Sequence, residues 1–184
     1  MEKRTLRTAR LELRPTTSEV FDSLWAAIQT SLPELRVWMA WAVAARAEDT
    51  RAFAHRAEES WAAGTAYNFT LVHEGEIAGQ CGLDRVDMLV KQCEIGYWMR
   101  TDLCGQGLMT EAAAAAVAFG FQEVGVHRIE LHAGLGNIGS IRVAEKLGFS
   151  REGVLRDRGF GAGGYYDMYV HGLLESDDLL APLS

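Results

Sequence analysis

A chain of 184 residues with 18 basic and 25 acidic side chains, a formal charge of −7 and 48% hydrophobic residues has the composition of one acidic globular domain spanning residues 1–184. Basic and acidic residues balance at nine each over the first sixty positions, which argues against a protein that binds nucleic acid. The uncharged stretches, Ala112–Gln122 among them, are all too short to span a membrane, and the charged N-terminus lacks a signal peptide's apolar segment, so we expect no membrane contact and a cytoplasmic location.

The first half of the chain predicts a strand, three helices and a β-hairpin. Leucines alternate with charged residues up to Pro15, as in a strand, and apolar residues at helical spacing follow. Gly64 is a typical helix end. In order, we predict a strand at 5–14, a helix that begins near residue 17 and ends near Pro33, helices around 35–42 and 49–63, and strands at 67–72 and 77–83.

The second half alternates strands with helices. We predict strands at 94–99 and 127–133, helices at 107–124 and 140–147, and two final strands at 149–158 and 165–173 joined by a glycine-rich turn. Each helical connection is long enough to cross over between parallel strands. The sequence therefore predicts a single α/β (α+β) domain with a mixed sheet of about seven strands.

The segment from Tyr97 to Glu111 is the sharpest local feature, because a strand runs into a loop containing Gly105 and Gly107 and then into a helix. Glycines let the backbone approach a ligand closely, and the free N–H groups at a helix start favour phosphate. The same pattern is as often only a tight turn. No Lys-Ser/Thr pair follows and Thr110 replaces the third glycine of a dinucleotide fingerprint, which argues against nucleoside triphosphates and NAD.

Two motifs carry a resemblance to a known family. Asp102-Leu-Cys-Gly105-Gln-Gly107 resembles the Q/R-x-x-G-x-G/A loop with which the GNAT N-acetyltransferases hold the pyrophosphate of acetyl-CoA, and 137–149 resembles that family's second signature, which ends in Gly-Phe. Asp102 departs from the usual Arg or Gln, so binding would rest more on backbone amides, with help from Arg100. Further similarity at 11–15, 94–98, 152–156 and 166–169 is to the RimJ/RimL-type branch, which acetylates ribosomal-protein N-termini.

The resemblance implies a GNAT fold: a mixed, mostly antiparallel sheet, flanked by helices, in which the two central parallel strands splay apart to admit the pantetheine arm. It implies acetyl-CoA as co-substrate and no metal. The implied contacts to acetyl-CoA are Trp98, Met99, Arg100, Gly105, Gln106, Gly107, Leu108, Met109, Thr110, Asn137, Ser140 and Arg142.

The resemblance also suggests the catalytic residues. Ser140 would donate a hydrogen bond to the leaving thiolate, because Ala144 stands where many relatives have a tyrosine; the alternative is that Ser140 only caps a helix. The position of the relatives' glutamate base falls on Gly159. Three residues could replace that base. Asp157, two residues earlier on the same face of the strand, could act through a water, while Glu94 and His132 each also have a purely structural alternative.

The acceptor is expected to be an amine that attacks the thioester directly. Cys81, Cys93 and Cys104 have no paired base to carry an acyl group, and their odd number argues against a disulfide framework. Deprotonating an α-amino group of pKa about 7.7–8.0 at pH 7 costs about 1 kcal/mol, against about 4.6 for lysine. The missing base therefore favours the N-terminal α-amine of a ribosomal protein or peptide.

Trp38, Trp41 and Tyr97 are the predicted acceptor-binding residues, although tryptophans at helical spacing are more often part of the core. Two other functions stay open at this stage: acetylation of a small amine such as an antibiotic, amino acid or polyamine, and acyl-CoA sensing without turnover. The sequence does not distinguish a monomer from a homodimer.

Overall fold

The computed structural model describes residues 2–177. Eight strands and five α-helices follow one another in the order β1 (Leu6–Arg7), β2 (Glu12–Pro15), α1 (Phe21–Trp38), α2 (Ala40–Val43), α3 (Ala47–Ala63), β3 (Tyr67–His73), β4 (Glu76–Asp87), β5 (Gln92–Met99), α4 (Leu108–Phe119), β6 (Arg128–Gly134), α5 (Ile138–Leu147), β7 (Ser150–Gly161) and β8 (Gly164–Leu174). This confirms the predicted α/β domain with a mixed sheet.

The opening segment is two short strands and not the single strand predicted at 5–14. Thr8 turns the chain, because its amide donates to the Leu11 carbonyl and its hydroxyl accepts from the Leu11 amide, each at 3.0 Å. β1 then pairs antiparallel with β2. The turn raises the strand count from about seven to eight and places Arg10 at the tip of a small hairpin.

Helix α1 continues through Pro33 to Trp38, five residues past its predicted end. A proline inside a helix costs about 3 kcal/mol or more because it removes a hydrogen bond and crowds the preceding turn. The residues after it are held by tertiary packing: Leu35 is buried in a cluster with Leu24, Ile28 and the indole of Trp98. Burial of this face therefore overrides the local stop signal.

The sheet has the order β1-β2-β3-β4-β5-β6-β8-β7, and every neighbouring pair is antiparallel except β5 and β6. The crossover through α4 joins that parallel pair, as predicted. The crossover through α5 does not join neighbours, because β8 lies between β6 and β7 and pairs with both. The parallel pair is thus near the middle of the sheet.

The core lies mainly between the sheet and helix α4. The alanines of α4 bury a smooth face, so the helix backbone lies close to the strands, and Trp61, Phe69 and Phe119 pack edge to face beside it. The helix predicted at 107–124 ends as α-helix at Phe119 and continues as one π-turn over 120–124. Within residues 2–177, none of the helices combines the length and the apolar character needed to cross a bilayer.

Candidate active site

The central strands separate halfway along their length. β5 and β6 are paired from Gln92 and Arg128 to Glu94 and Glu130, and beyond that point the two strands are not hydrogen-bonded to each other. A cavity of about 900 Å³ opens there. One wall comes from helices α1–α3, and the other from the loop at 101–107, the start of α4 and the first turns of α5.

The glycine loop has the geometry of an anion cradle. Gly105 and Gly107 have φ angles of +79° and +81°, which strongly favour glycine. Gly107 directly precedes α4, whose first turn has no side-chain cap, so the N–H groups of Leu108, Met109 and Thr110 are left for a ligand. Of the predicted contacts, both glycines and these three residues line the cavity.

Arg100 and Gln106 lie outside the cavity lining. The Arg100 guanidinium is held by Glu76 at 2.9 Å and by Asp102 at 2.7 Å, and it does not reach the cavity. The Gln106 amide donates to the Asp102 carbonyl at 3.4 Å. The positive charge of Arg100, which was expected to help bind the pyrophosphate, is therefore already paired with two carboxylates of the chain itself.

Arg10 contacts this loop and was not expected from the sequence. From the tip of the β1–β2 hairpin, its guanidinium donates to the Gln106 carbonyl at 3.0 Å and to the Glu111 carboxylate at 2.8 Å. The Arg10 amide donates to the same carboxylate at 2.8 Å. Arg10 thus ties the glycine loop to the first turn of α4, and the 101 residues that separate it from Glu111 explain why no local pattern indicated the contact.

Asn137 and Ser140 stand at the start of α5 on the cavity wall, where Arg142 and Lys146 also line it. Asn137 is the helix cap, since its side-chain oxygen accepts from the Ser140 amide at 3.1 Å. The Ser140 hydroxyl is therefore not needed for capping. It lies 3.0 Å from the hydroxyl of Tyr97.

Tyr97 and Trp98 point to opposite faces of β5. Tyr97, predicted with Trp38 and Trp41 as an acceptor-binding residue, lines the same cavity but packs towards α5, and burial raises its pKa far above that of a free phenol. Trp98 is buried among the residues of α1 and α2, and its indole N–H donates to Gln80 at 3.2 Å. Met99, its neighbour, lines the cavity.

The tryptophans form the opposite wall. The Trp38 ring lies against the backbone of the β6–α5 loop, where a Cβ at Gly134 or Gly136 would come within about 3.1 Å of it. The Tyr166 hydroxyl donates to the Trp38 carbonyl at 2.5 Å. Trp41 is 45% exposed with its ring 6.2 Å from that of Trp98, so it remains accessible at the mouth of the cavity.

Gly159 is glycine because the Tyr166 ring occupies the space of a side chain. A Cβ at 159 would lie 2.1 Å from a ring carbon of Tyr166. Asp157 does not compensate from the same face as expected, because the strand register shifts between Leu155 and Gly159 and Asp157 has a φ of +52°. Asp157 is exposed and does not line the cavity.

Glu94 and His132 meet where the strands part. His132 Nε2 lies 3.3 Å from a carboxylate oxygen of Glu130, and Arg85 donates to Glu94 at 2.6 Å. The ligand atoms of Glu94, Glu130 and His132 lie within 4.8 Å of one another, a spacing that would also suit a divalent ion. Arg85 and Arg128 already balance the two carboxylates, so the charges of the cluster need no ion.

A further carboxylate, Asp84, lies beside this cluster on β4, opposite Glu94. Burial raises the pKa of Asp84, an amide hydrogen bond from Asn68 opposes the change, and the charge of Glu94 adds to it. Asp84 and Glu94 both line the cavity on its tryptophan side. This wall is therefore partly acidic.

Residues 10–150 match the family model of the acetyltransferase (GNAT) domain. The chain belongs to the GNAT acetyltransferase family. It is an acyltransferase with acetyl-CoA as co-substrate, as predicted.

Several similar proteins illustrate the relationship. The uncharacterized N-acetyltransferase p20 of Bacillus licheniformis is 29% identical over 94% of this chain and 97% of its own. The ribosomal-protein-serine acetyltransferase of Escherichia coli is 31% identical over 59% of this chain and 60% of its own. Other relatives from Bacillus subtilis match over 46–58% of their length.

Among solved structures, the ribosomal L7/L12 alpha-N-protein acetyltransferase RimL in complex with coenzyme A superposes with a TM-score of 0.89. The superposition covers 95% of this chain and all of the other, at 21% identity. The predicted GNAT fold, the RimJ/RimL-type resemblance and the N-acetyltransferase activity are confirmed by these matches.

Proposed function

We propose that this enzyme acetylates the N-terminal α-amino group of a protein or peptide, in the manner of a ribosomal-protein acetyltransferase. One observation carries the proposal: the Tyr166 ring fills the position at Gly159 where a glutamate base would stand. An acceptor that is already largely neutral near pH 7 suits such a site. An α-amine costs about 1 kcal/mol to deprotonate at that pH and a lysine about 4.6.

The shape of the cavity and the names of the relatives support the same acceptor. The tryptophan wall and the glycine loop are on opposite sides of the splay, so an acceptor and acetyl-CoA would approach the vertex from different directions. Trp41, at the mouth, would contact the residues that follow the N-terminus. The E. coli relative and the RimL structure are both named for ribosomal-protein substrates.

We propose that His132, and not Glu94, is the base that takes the proton from the amine. Glu130 accepts a hydrogen bond from His132 Nε2 in one tautomer, and in that tautomer Nδ1 keeps the lone pair that can accept the proton. Arg85 already occupies an oxygen of Glu94. Asp157, exposed and outside the cavity, is the weakest of the three candidates.

On the other side of the thioester, Ser140 would donate its hydroxyl to the departing sulfur. Acetyl-CoA supplies the activated acetyl group, and the chain's own task is to align it and to stabilise the charge that develops on the sulfur. Backbone amides at the glycine loop and the cations Arg142 and Lys146 would hold the phosphates.

Thiol release from acetyl-CoA with a panel of acceptors tests the proposal. We expect turnover with peptides that begin with Ser or Ala, and none with the same peptides blocked at the α-amine but carrying an internal lysine. Turnover confined to the blocked peptides would contradict the assignment.

A small polyamine is the second candidate, and the acidic wall favours it. Glu34, Asp49, Asp84 and Glu94 all line the cavity and would attract a second ammonium group. Spermidine in the same panel distinguishes the two candidates, since a polyamine enzyme would prefer it over every peptide. Tight coenzyme A binding without turnover would instead indicate a sensor.

A further inference from the structure

Two hydroxyls from different elements meet beside the splay. Tyr97 lies in the part of β5 that has left β6, and Ser140 lies in the first turn of α5. The phenol oxygen is 3.0 Å from Ser140 Oγ and 3.4 Å from the Ser140 carbonyl. Within residues 2–177 the Tyr97 hydroxyl makes no other hydrogen bond.

We assign the phenol as the donor to Ser140 Oγ, because Oγ, at 3.0 Å, lies nearer to the phenol oxygen than the Ser140 carbonyl does, at 3.4 Å. Burial raises the pKa of Tyr97, so the phenol keeps its proton at neutral pH and can donate it to Ser140. A serine hydroxyl has one proton and two lone pairs. When the phenol donates to one lone pair, the proton of Ser140 is free to point into the cavity.

The acidities of these groups decide what this proton can do. A thiol has a pKa of about 8.5 and a free phenol about 10, so a thiolate does not take a proton outright from a phenol or from the still less acidic serine. The useful contribution is a hydrogen bond to the sulfur while negative charge develops on it. A hydroxyl free to rotate makes that bond only part of the time.

We propose that Tyr97 is a positioning residue for acetyl transfer, holding the Ser140 hydroxyl so that its proton faces the departing thiolate. The neutral amine forms its bond to the carbonyl carbon, the C–S bond breaks, and the sulfur keeps the electron pair. The thiolate leaves with the Ser140 hydrogen bond and takes its proton from water, while the amine's proton goes to the base. The inference rests on the proposed role of Ser140 and is independent of which amine accepts the acetyl group.

Tyr97→Phe tests the proposal, because it removes the hydroxyl and keeps the ring. With the amine that the wild type acetylates fastest, we expect kcat to fall about threefold to tenfold, less than the roughly tenfold to hundredfold loss of a whole hydrogen bond to a charged group, because the Ser140 hydroxyl still reaches the sulfur part of the time. The Kd for coenzyme A should not change. With the selenoester analogue of acetyl-CoA, whose selenolate is a weaker base and leaves without help, the variant and the wild type should be nearly equal.

Measuring both esters on one preparation makes the comparison robust, because a reduced folded fraction cancels from their ratio. Tyr67→Phe is the matched control. Tyr67 is another buried tyrosine of the sheet, and it packs against Trp61. Removing its hydroxyl should leave the rates with the thioester and with the selenoester unchanged. The double variant Tyr97→Phe/Ser140→Ala should be no slower than Ser140→Ala alone, since one residue acts through the other.

Three results would overturn the inference. Tyr97→Phe with full kcat on acetyl-CoA, while Ser140→Ala is slow, removes Tyr97 and leaves the role of Ser140 intact. Equal losses with the thioester and the selenoester indicate a merely structural effect. Full activity of Ser140→Ala removes the proposed thiolate donor, and the role of Tyr97 with it, but leaves the acceptor assignment standing.

Discussion

Adding a single methyl group at Gly159 tests why this enzyme lacks a glutamate there. In Gly159→Ala the new Cβ would lie 2.1 Å from Cε2 of Tyr166, so the ring must move and lose its hydrogen bond to the Trp38 carbonyl. Overpacking costs about 1–3 kcal/mol and the lost bond about 1 more. The sum, about 2–4 kcal/mol, lowers Tm by roughly 4–16 °C for a chain of this size.

Thermal unfolding followed by circular dichroism measures the effect. Gly163→Ala, in the β7–β8 turn where a Cβ would meet nothing within 4 Å, is the control and should melt as the wild type does. In a Tyr166→Ala background the ring is absent, so Gly159→Ala should then cost almost nothing. A wild-type Tm for Gly159→Ala, or the same loss in both backgrounds, would refute the reasoning.

Three further variants test the glycine loop and the acceptor wall. Arg10→Met should raise the Kd for coenzyme A about two- to tenfold, because the glycine loop loses its contact with Arg10. Arg14→Met, whose partner is Glu12 at the surface, is the control and should leave the Kd unchanged. Equal effects of the two variants in calorimetry would contradict the idea that Arg10 holds the loop in place. Burial opposes ionisation of Glu111, but hydrogen bonds from Thr8 and Arg10 together lower its pKa, so its stabilising effect is present above the ordinary carboxyl pKa and lost on acidification. Urea unfolding should therefore give the wild type a larger free energy of unfolding than Glu111→Gln at pH 7, and the difference should shrink towards pH 3. A difference that stays constant with pH would contradict a stabilising role for the ionised carboxylate. Trp41→Ala should raise the KM for peptide while sparing the Kd for coenzyme A, and an unchanged KM would remove Trp41 from the acceptor site.

Much of the fold could be predicted because local signals and tertiary packing agree. The glycines at 105 and 107 are short-range features with fixed backbone requirements, and they placed the loop and the start of helix α4 correctly, whereas the splay was expected only from the family resemblance. The end of α1 was predicted wrongly at Pro33, because the burial of Leu35 against another element outweighs a local stop signal.

The parts of the site that escaped prediction are contacts between distant segments. Arg10 meets Gln106 through a hairpin that Thr8 creates, and neither residue has a neighbour in sequence that indicates the other. The packing of Tyr166 against Gly159 depends on the β7–β8 register, which a bulge shifts. That same bulge is why strand alternation misplaced Asp157.

The most direct test of the proposed function uses one peptide that offers both kinds of amine. A serine-initiated peptide with a free α-amine and one internal lysine is incubated with enzyme and acetyl-CoA, and fragmentation mass spectrometry locates the acetyl group. We predict acetylation at the α-nitrogen while the lysine stays free. Acetyl found on the lysine side chain, with the α-amine untouched, would contradict the proposal.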